Sequence, residues 1–148
     1  MQKGIIILIG IQACGKSTFY KEMFFNSHVR ISNDLLKTKH REKLLLDCCL
    51  NAKMPFVVDN TNATKDVREK YIRLVQQENM AIIGYYFKTD LARSLTWNKN
   101  RTERIPELAI LSMHKKLELP SMDEGFTKLF YVDIIDNNFV INDWNDEI

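Results

Sequence analysis

Hydrophobic residues along this chain fall into two alternating rhythms. Four short apolar runs lie within residues 4–9 (GIIILI), 29–32 (VRIS), 55–60 (PFVVDN) and 81–87 (AIIGYYF). They show little in/out alternation, as expected of strands covered on both faces. Between them, apolar positions recur every three or four residues, the helical spacing. Residues 16–25 read as one helix, and 33–50 as another with Leu35, Leu36, Leu44, Leu45 and Cys48 toward the core. Val67, Tyr71, Leu74 and Val75 share one face of a third, with Thr61 or Asn62 at its N-cap. Asp90 is placed to cap a helix through Leu91 and Leu95 toward Asn98, and Pro106 to open one ending near Glu118. KLFYVDII, DNN and FVI form a closing hairpin. This alternation predicts an α/β fold in three layers around a mainly parallel sheet. No linker, repeat or shift of composition divides the chain, so residues 1–148 read as one domain.

Composition narrows the picture only a little. With 45% hydrophobic and 27% charged residues the chain has the make-up of a globular protein. A net charge of +2 gives no overall field for a polyanion, so any anion site must be local. Cys14, Cys48 and Cys49 lack metal-pair or disulfide spacing, and the apolar run ending at Ile9 is shorter than a secretory signal requires. The expectation is a cytoplasmic protein without a membrane partner; the sequence sets no oligomeric state.

The first strand runs straight into GIQACGKST, residues 10–18, with the spacing G-x-x-x-x-G-K-[ST] and a helix directly after it. In that setting the glycines let successive N–H groups converge on an anion, and the helix adds its positive end. Gly10, Ala13, Cys14, Gly15, Lys16, Ser17 and Thr18 are therefore the expected ATP-binding loop. Lys16 would reach the β- and γ-phosphates, and the Ser17 hydroxyl would hold Mg2+. Cys14, beside a helix N-terminus, is also a candidate oxidisable thiol.

In a parallel sheet the later strands end on the same edge as that loop. The second ends in ISND, and Asp34 is the expected general base, ionised at neutral pH and able to take the proton of an attacking hydroxyl. The third ends in DNTN, where Asp59 resembles the carboxylate that holds magnesium through water, and Asn60 and Asn62 are candidate acceptor contacts. NKNRTER, residues 98–104, is a basic loop between helices, read as a short lid spanning about 98–105. Arg101, with Arg104, would close on the charge that develops in phosphoryl transfer.

Taken together, GxxxxGKST, the I-x-x-D of residues 31–34, DNTN and the N-x-x-R of residues 98–101 resemble the kinase module of phage-type polynucleotide kinases over roughly residues 3–130. That resemblance implies a P-loop kinase-like fold, ATP and Mg2+ as nucleotide and metal, Lys16, Asp34 and Arg101 as catalytic groups, and a 5′-OH nucleic acid end as acceptor. EGF at residues 124–126 also resembles a late feature of that family, without a role that the sequence explains. Where the phage enzyme has an arginine one turn after the base, this chain has Lys37, a point charge without a planar fork. Lys37 still starts a basic run with Lys39, Arg41 and Lys43 suited to an acceptor's phosphates. The same architecture serves small-molecule kinases, seryl-tRNA kinases and zeta-type toxins acting on sugar nucleotides, and a nucleotide-dependent switch without an acceptor is the alternative from another class.

Overall fold

The computed structural model describes residues 4–146, so the first three and last two residues of the expected domain lie outside the description. Six strands form one sheet in the order β2-β3-β1-β4-β5-β6. They are β1 (Ile5–Ile9), β2 (Val29–Ile31), β3 (Phe56–Val58), β4 (Ile82–Phe87), β5 (Lys128–Ile135) and β6 (Asn138–Asp143). The first five are parallel, and only β6 runs antiparallel, folded back on β5. β1 sits in the middle with every residue fully buried, the burial that its unbroken isoleucine-rich run demands.

Successive β1 side chains alternate between two cores. Ile5, Ile7 and Ile9 pack against Leu46, Cys49, Tyr71, Ile72 and Val75 on one face. Ile6 and Leu8 pack with Phe19, Phe24, Tyr85, Phe87 and Ile110 on the other. Helices α3 (Lys39–Asn51) and α4 (Lys65–Gln77) cover the first face; α1 (Lys16–Met23), α5 (Leu91–Lys99) and α6 (Glu107–Lys116) belong to the second. The structure is thus the three-layer, mainly parallel sandwich expected of the sequence.

Three local expectations are corrected. The single helix over 33–50 is two: α2 (Asn33–Leu36) and α3, separated at Lys37 and Thr38. Lys37 has φ 72° and Thr38 donates its N–H to the Leu36 carbonyl at 2.9 Å, closing a γ-turn. The break resets the phase of α3, so Leu46, Cys49 and Leu50 face inward while Leu35, Leu44 and Cys48 are exposed. In α4 the inward position is Arg68, not Val67. Its N-cap is Thr64, whose hydroxyl accepts from the Val67 N–H, rather than Thr61 or Asn62.

Candidate active site

The strand order reverses beside β1, and in open α/β sheets that is where ligands bind, beyond the carboxyl ends of the strands. A cleft of about 710 Å³ lies there. Ala13 to Thr18, Asn33, Asp34, Asp59, Asn60, Thr61 and Arg101 line it together, although they come from four separate stretches of chain.

The phosphate loop leaves β1 through Gly10, where a β-carbon would meet Cys14 Sγ at 2.8 Å and Phe87 Cβ at 3.2 Å. Ala13 (φ 56°) and Gly15 (φ 100°) are left-handed, and Gly15 is the N-cap of α1. Such alternation curls backbone amides around an anion. Lys16 folds over the loop, its ammonium donating to the carbonyls of Gly10 at 2.9 Å and Ile11 at 2.6 Å and lying 3.5 Å from Cys14 Sγ. Gly10 supports the loop from behind and does not itself line the cleft.

Asp34 lies in the first turn of α2 and is exposed to the cleft. It is not needed as a cap, because the Asn33 N–H at the start of that helix donates to Asn60 Oδ1 at 2.8 Å. Asn60 thus fixes the turn that carries Asp34. Ser17 donates its hydroxyl proton to Asp59 Oδ2 at 3.0 Å, bringing a hydroxyl and a carboxylate from two strand ends together. Hard oxygen donors of this kind fit Mg2+, which is held by few protein groups and completes its shell with water and substrate phosphate.

Not every expected residue reaches the cleft. Asn62 is 1% exposed, and its amide turns inward to donate to the carbonyls of Leu8 at 2.7 Å and Val58 at 3.2 Å, tying β1 to β3. It is a backbone brace rather than an acceptor contact. Arg104 lines a separate depression formed by the lid itself, with Asn98, Lys99 and Pro106. Lys37 is exposed but absent from the cleft wall, as are Lys39, Arg41 and Lys43. Asn98 clasps the lid at its base, donating to the Ile105 carbonyl at 2.6 Å and accepting from its N–H at 2.8 Å.

Several residues escaped the sequence reading. Arg30 enters the cleft from β2 and bonds both Asp59 and Ser17. Trp97, Ile134 and Phe139 form an apolar flank of the cleft, with Asn137 also lining it. Arg68, fully buried, donates to both carboxylate oxygens of Glu124, at 2.8 and 3.2 Å, and to the Asn62 carbonyl at 2.9 Å. EGF thereby gains a physical account. Glu124 neutralises Arg68, Gly125 takes φ 112° where a β-carbon would meet Gln76 at 2.6 Å, and Phe126 fills the core. An arginine among apolar letters was the signal for such pairs, present at Arg30 in β2 and at the inward helical position of Arg68.

The family described as AAA domain matches residues 37–120. A bifunctional polynucleotide phosphatase/kinase of Schizosaccharomyces pombe is 28% identical over 131 residues, covering 84% of this chain and 32% of that protein. An L-seryl-tRNA(Sec) kinase of Methanococcus maripaludis is 24% identical over 135 residues, covering 78% and 53%. The chain thus spans between a third and about half of the length of these curated relatives. Among solved structures, a gluconokinase from Sinorhizobium meliloti superposes with a TM-score of 0.65 at 16% identity, covering 88% of this chain and 82% of that one. The fold is that of the P-loop kinases, and the resemblance to polynucleotide kinases read from four motifs is borne out. Among the described residues no helix is long and apolar enough to cross a membrane.

Proposed function

The chain belongs to the AAA domain family, and from that premise we propose that it transfers the γ-phosphoryl group of ATP to a hydroxyl, that of a polynucleotide 5′ end. The observation that carries this reading is the shared cleft: the phosphate loop and the Asp34 carboxylate line one cavity, with the lid residue Arg101 on its wall.

In this reading the loop amides and Lys16 hold the β- and γ-phosphates, which requires the Lys16 ammonium to leave the Gly10 and Ile11 carbonyls. Ser17 and Asp59 would hold Mg2+, which would neutralise phosphate charge when bound. Asp34 accepts the proton of the attacking hydroxyl, held in position by the Asn60 bond to its helix. Arg101 closes from the lid on the oxygens that gain charge. The acceptor approaches past Asn60, with Lys37 and its basic neighbours available to a trailing strand beyond the cleft.

The similarity to a polynucleotide kinase over most of this chain supports a nucleic acid end as acceptor. The likeness to a seryl-tRNA kinase supports, as second reading, a hydroxyl carried on RNA by another group. Labelled γ-phosphate ATP offered with 5′-OH DNA, 5′-OH RNA, seryl-tRNA, nucleosides and sugars separates these. Label on a 5′ end is the expected result; label on small molecules alone overturns it. Asp34→Ala should lower transfer by about 10²–10⁴-fold while ATP affinity, measured by calorimetry, stays within about threefold. A variant that keeps its transfer rate would remove Asp34 from the base role, whereas a wild type that binds ATP and labels no acceptor would point to a nucleotide-dependent switch.

A further inference from the structure

Arg30 makes contacts that the proposed chemistry does not use. Its Nε donates to Asp59 Oδ2 at 2.8 Å, and its Nη2 donates to Ser17 Oγ at 3.2 Å. Ser17 in turn donates its own proton to the same Asp59 oxygen at 3.0 Å. A serine hydroxyl has one proton and two lone pairs. With the proton on Asp59, its lone pairs are what a cation would bind, and Arg30 engages that acceptor side.

Burial explains why an arginine stands here. The Asp59 side chain is 2% exposed, and a carboxylate so placed needs a counter-charge. Arg30 is 30% exposed, so its guanidinium reaches the pair from the solvent side and forms part of the cleft wall. A divalent cation at the same two oxygens would supply the charge that Asp59 needs and would repel the guanidinium beside it. The arginine has a long stem and an open cleft to move into.

We propose that Arg30 is the resident counter-cation of the Asp59–Ser17 pair, exchanged for a divalent cation, and that the exchange hands its guanidinium to the acceptor as a phosphate ligand. A planar fork suits a phosphate bidentately, which Lys37 cannot do from outside the cleft wall. Arg30 lines the same cleft as Asn33 and the proposed base Asp34. The substrate class it selects is a hydroxyl compound bearing a phosphate or phosphodiester nearby, rather than a free nucleoside or sugar. This second half rests on the proposed transfer reaction, whereas the exchange at Asp59 does not.

Mn2+ is the probe for the exchange, titrated into the nucleotide-free chain and followed by electron paramagnetic resonance. Arg30→Gln should bind Mn2+ about tenfold tighter than the wild type, and Arg30→Lys, which lacks the fork that reaches Ser17, by an intermediate factor. Unchanged or weaker binding in both variants overturns the exchange. Should Arg30→Gln fail to fold, the wild type decides alone: the Arg30 Nε–H resonance must move when Mg2+ and a non-hydrolysable ATP analogue are added, and a static resonance overturns the proposal. For the acceptor, KM of Arg30→Gln should rise about tenfold more for a 5′-OH dinucleotide than for the matching nucleoside. An equal rise for both removes the phosphate-ligand role. A wild type that phosphorylates no acceptor sinks the transfer reading, while the Mn2+ and resonance results still judge Arg30.

Discussion

His28 shows how much one buried ring can depend on its two nitrogens. Its Nε2 bonds the Gly4 carbonyl at 3.0 Å and its Nδ1 meets Ser27 Oγ at 2.7 Å, so the neutral ring donates at the first and accepts at the second. Burial lowers the imidazole pKa below 6.5, with the Gly4 carbonyl opposing in part. The unfolded chain therefore binds the proton first as pH falls. The stability held by the neutral ring is whole above about pH 6.5 and is lost as pH drops toward the lowered value. Urea denaturation at pH 7.5 and 5.5 should show the wild type losing more stability than His28→Gln over that interval. Equal losses would mean that the ring already carries its proton in the fold. At the same scale Asn60 and Asn62, adjacent in sequence type and spacing, divide the work: one steadies the helix start that bears Asp34, the other braces two strands. A run of polar letters says that buried partners exist, but not which carbonyl each amide meets.

Among the elements, α4 is held by an ion pair rather than by its apolar stripe alone. Arg68 is wholly buried and Glu124 nearly so, and Glu124 also accepts from the Ser121 N–H at 2.9 Å. Removing one partner leaves the other charge uncompensated. Glu124→Gln should cost about 3–5 kcal/mol and lower Tm by roughly 10 °C. Arg68→Met with Glu124→Gln together should recover part of that loss, and a double variant as weak as the sum of the two singles would refute mutual compensation. The strands, α1 and the N-cap at Asp90 were legible because short-range pattern decides them. The break at Lys37 was not, because its one local cue, Thr38 as the N-cap of α3, is a residue also tolerated inside helices. A γ-turn there is imposed by the packing of α2 over Asn60 and of α3 over the sheet, and tertiary context overrode propensity. One misplaced turn then left Leu44 and Cys48 outside, while Leu45 still packs against the core.

At the scale of the molecule, parallel order explains why a site spread over residues 12–139 of the sequence was largely foreseeable. Once strands alternate with helices, their carboxyl ends share an edge, and the residues there must meet. The closing hairpin was legible but the apolar flank was not, because hydrophobic pattern does not say that the turn through Asp136 and Asn137, both at positive φ, brings Phe139 beside the loop. Phe139 packs edge-on against Phe19, with ring centroids 5.1 Å apart, and approaches Phe87 at 6.3 Å. Phe139→Ala should destabilise the fold by about 2–3 kcal/mol, since the ring is only partly buried, and should weaken ATP binding. Urea titration and calorimetry check the two effects, and intact ATP affinity in a destabilised variant would confine Phe139 to packing.

Gly15 faces that same hairpin: a β-carbon there would come within 3.1 Å of Ile134 Cδ1 and 3.4 Å of Phe139 Cε1. The turn that would grip triphosphate is thus built from early chain and propped by late chain. During synthesis β1 has no neighbour until β3 and β4 emerge, and Gly15 has neither Ile134 nor Phe139 behind it until the β5–β6 hairpin does. A ribosome-bound fragment stopped at α6 would carry the whole nucleotide signature without that prop, so tight nucleotide capture becomes a report that the last strands have docked.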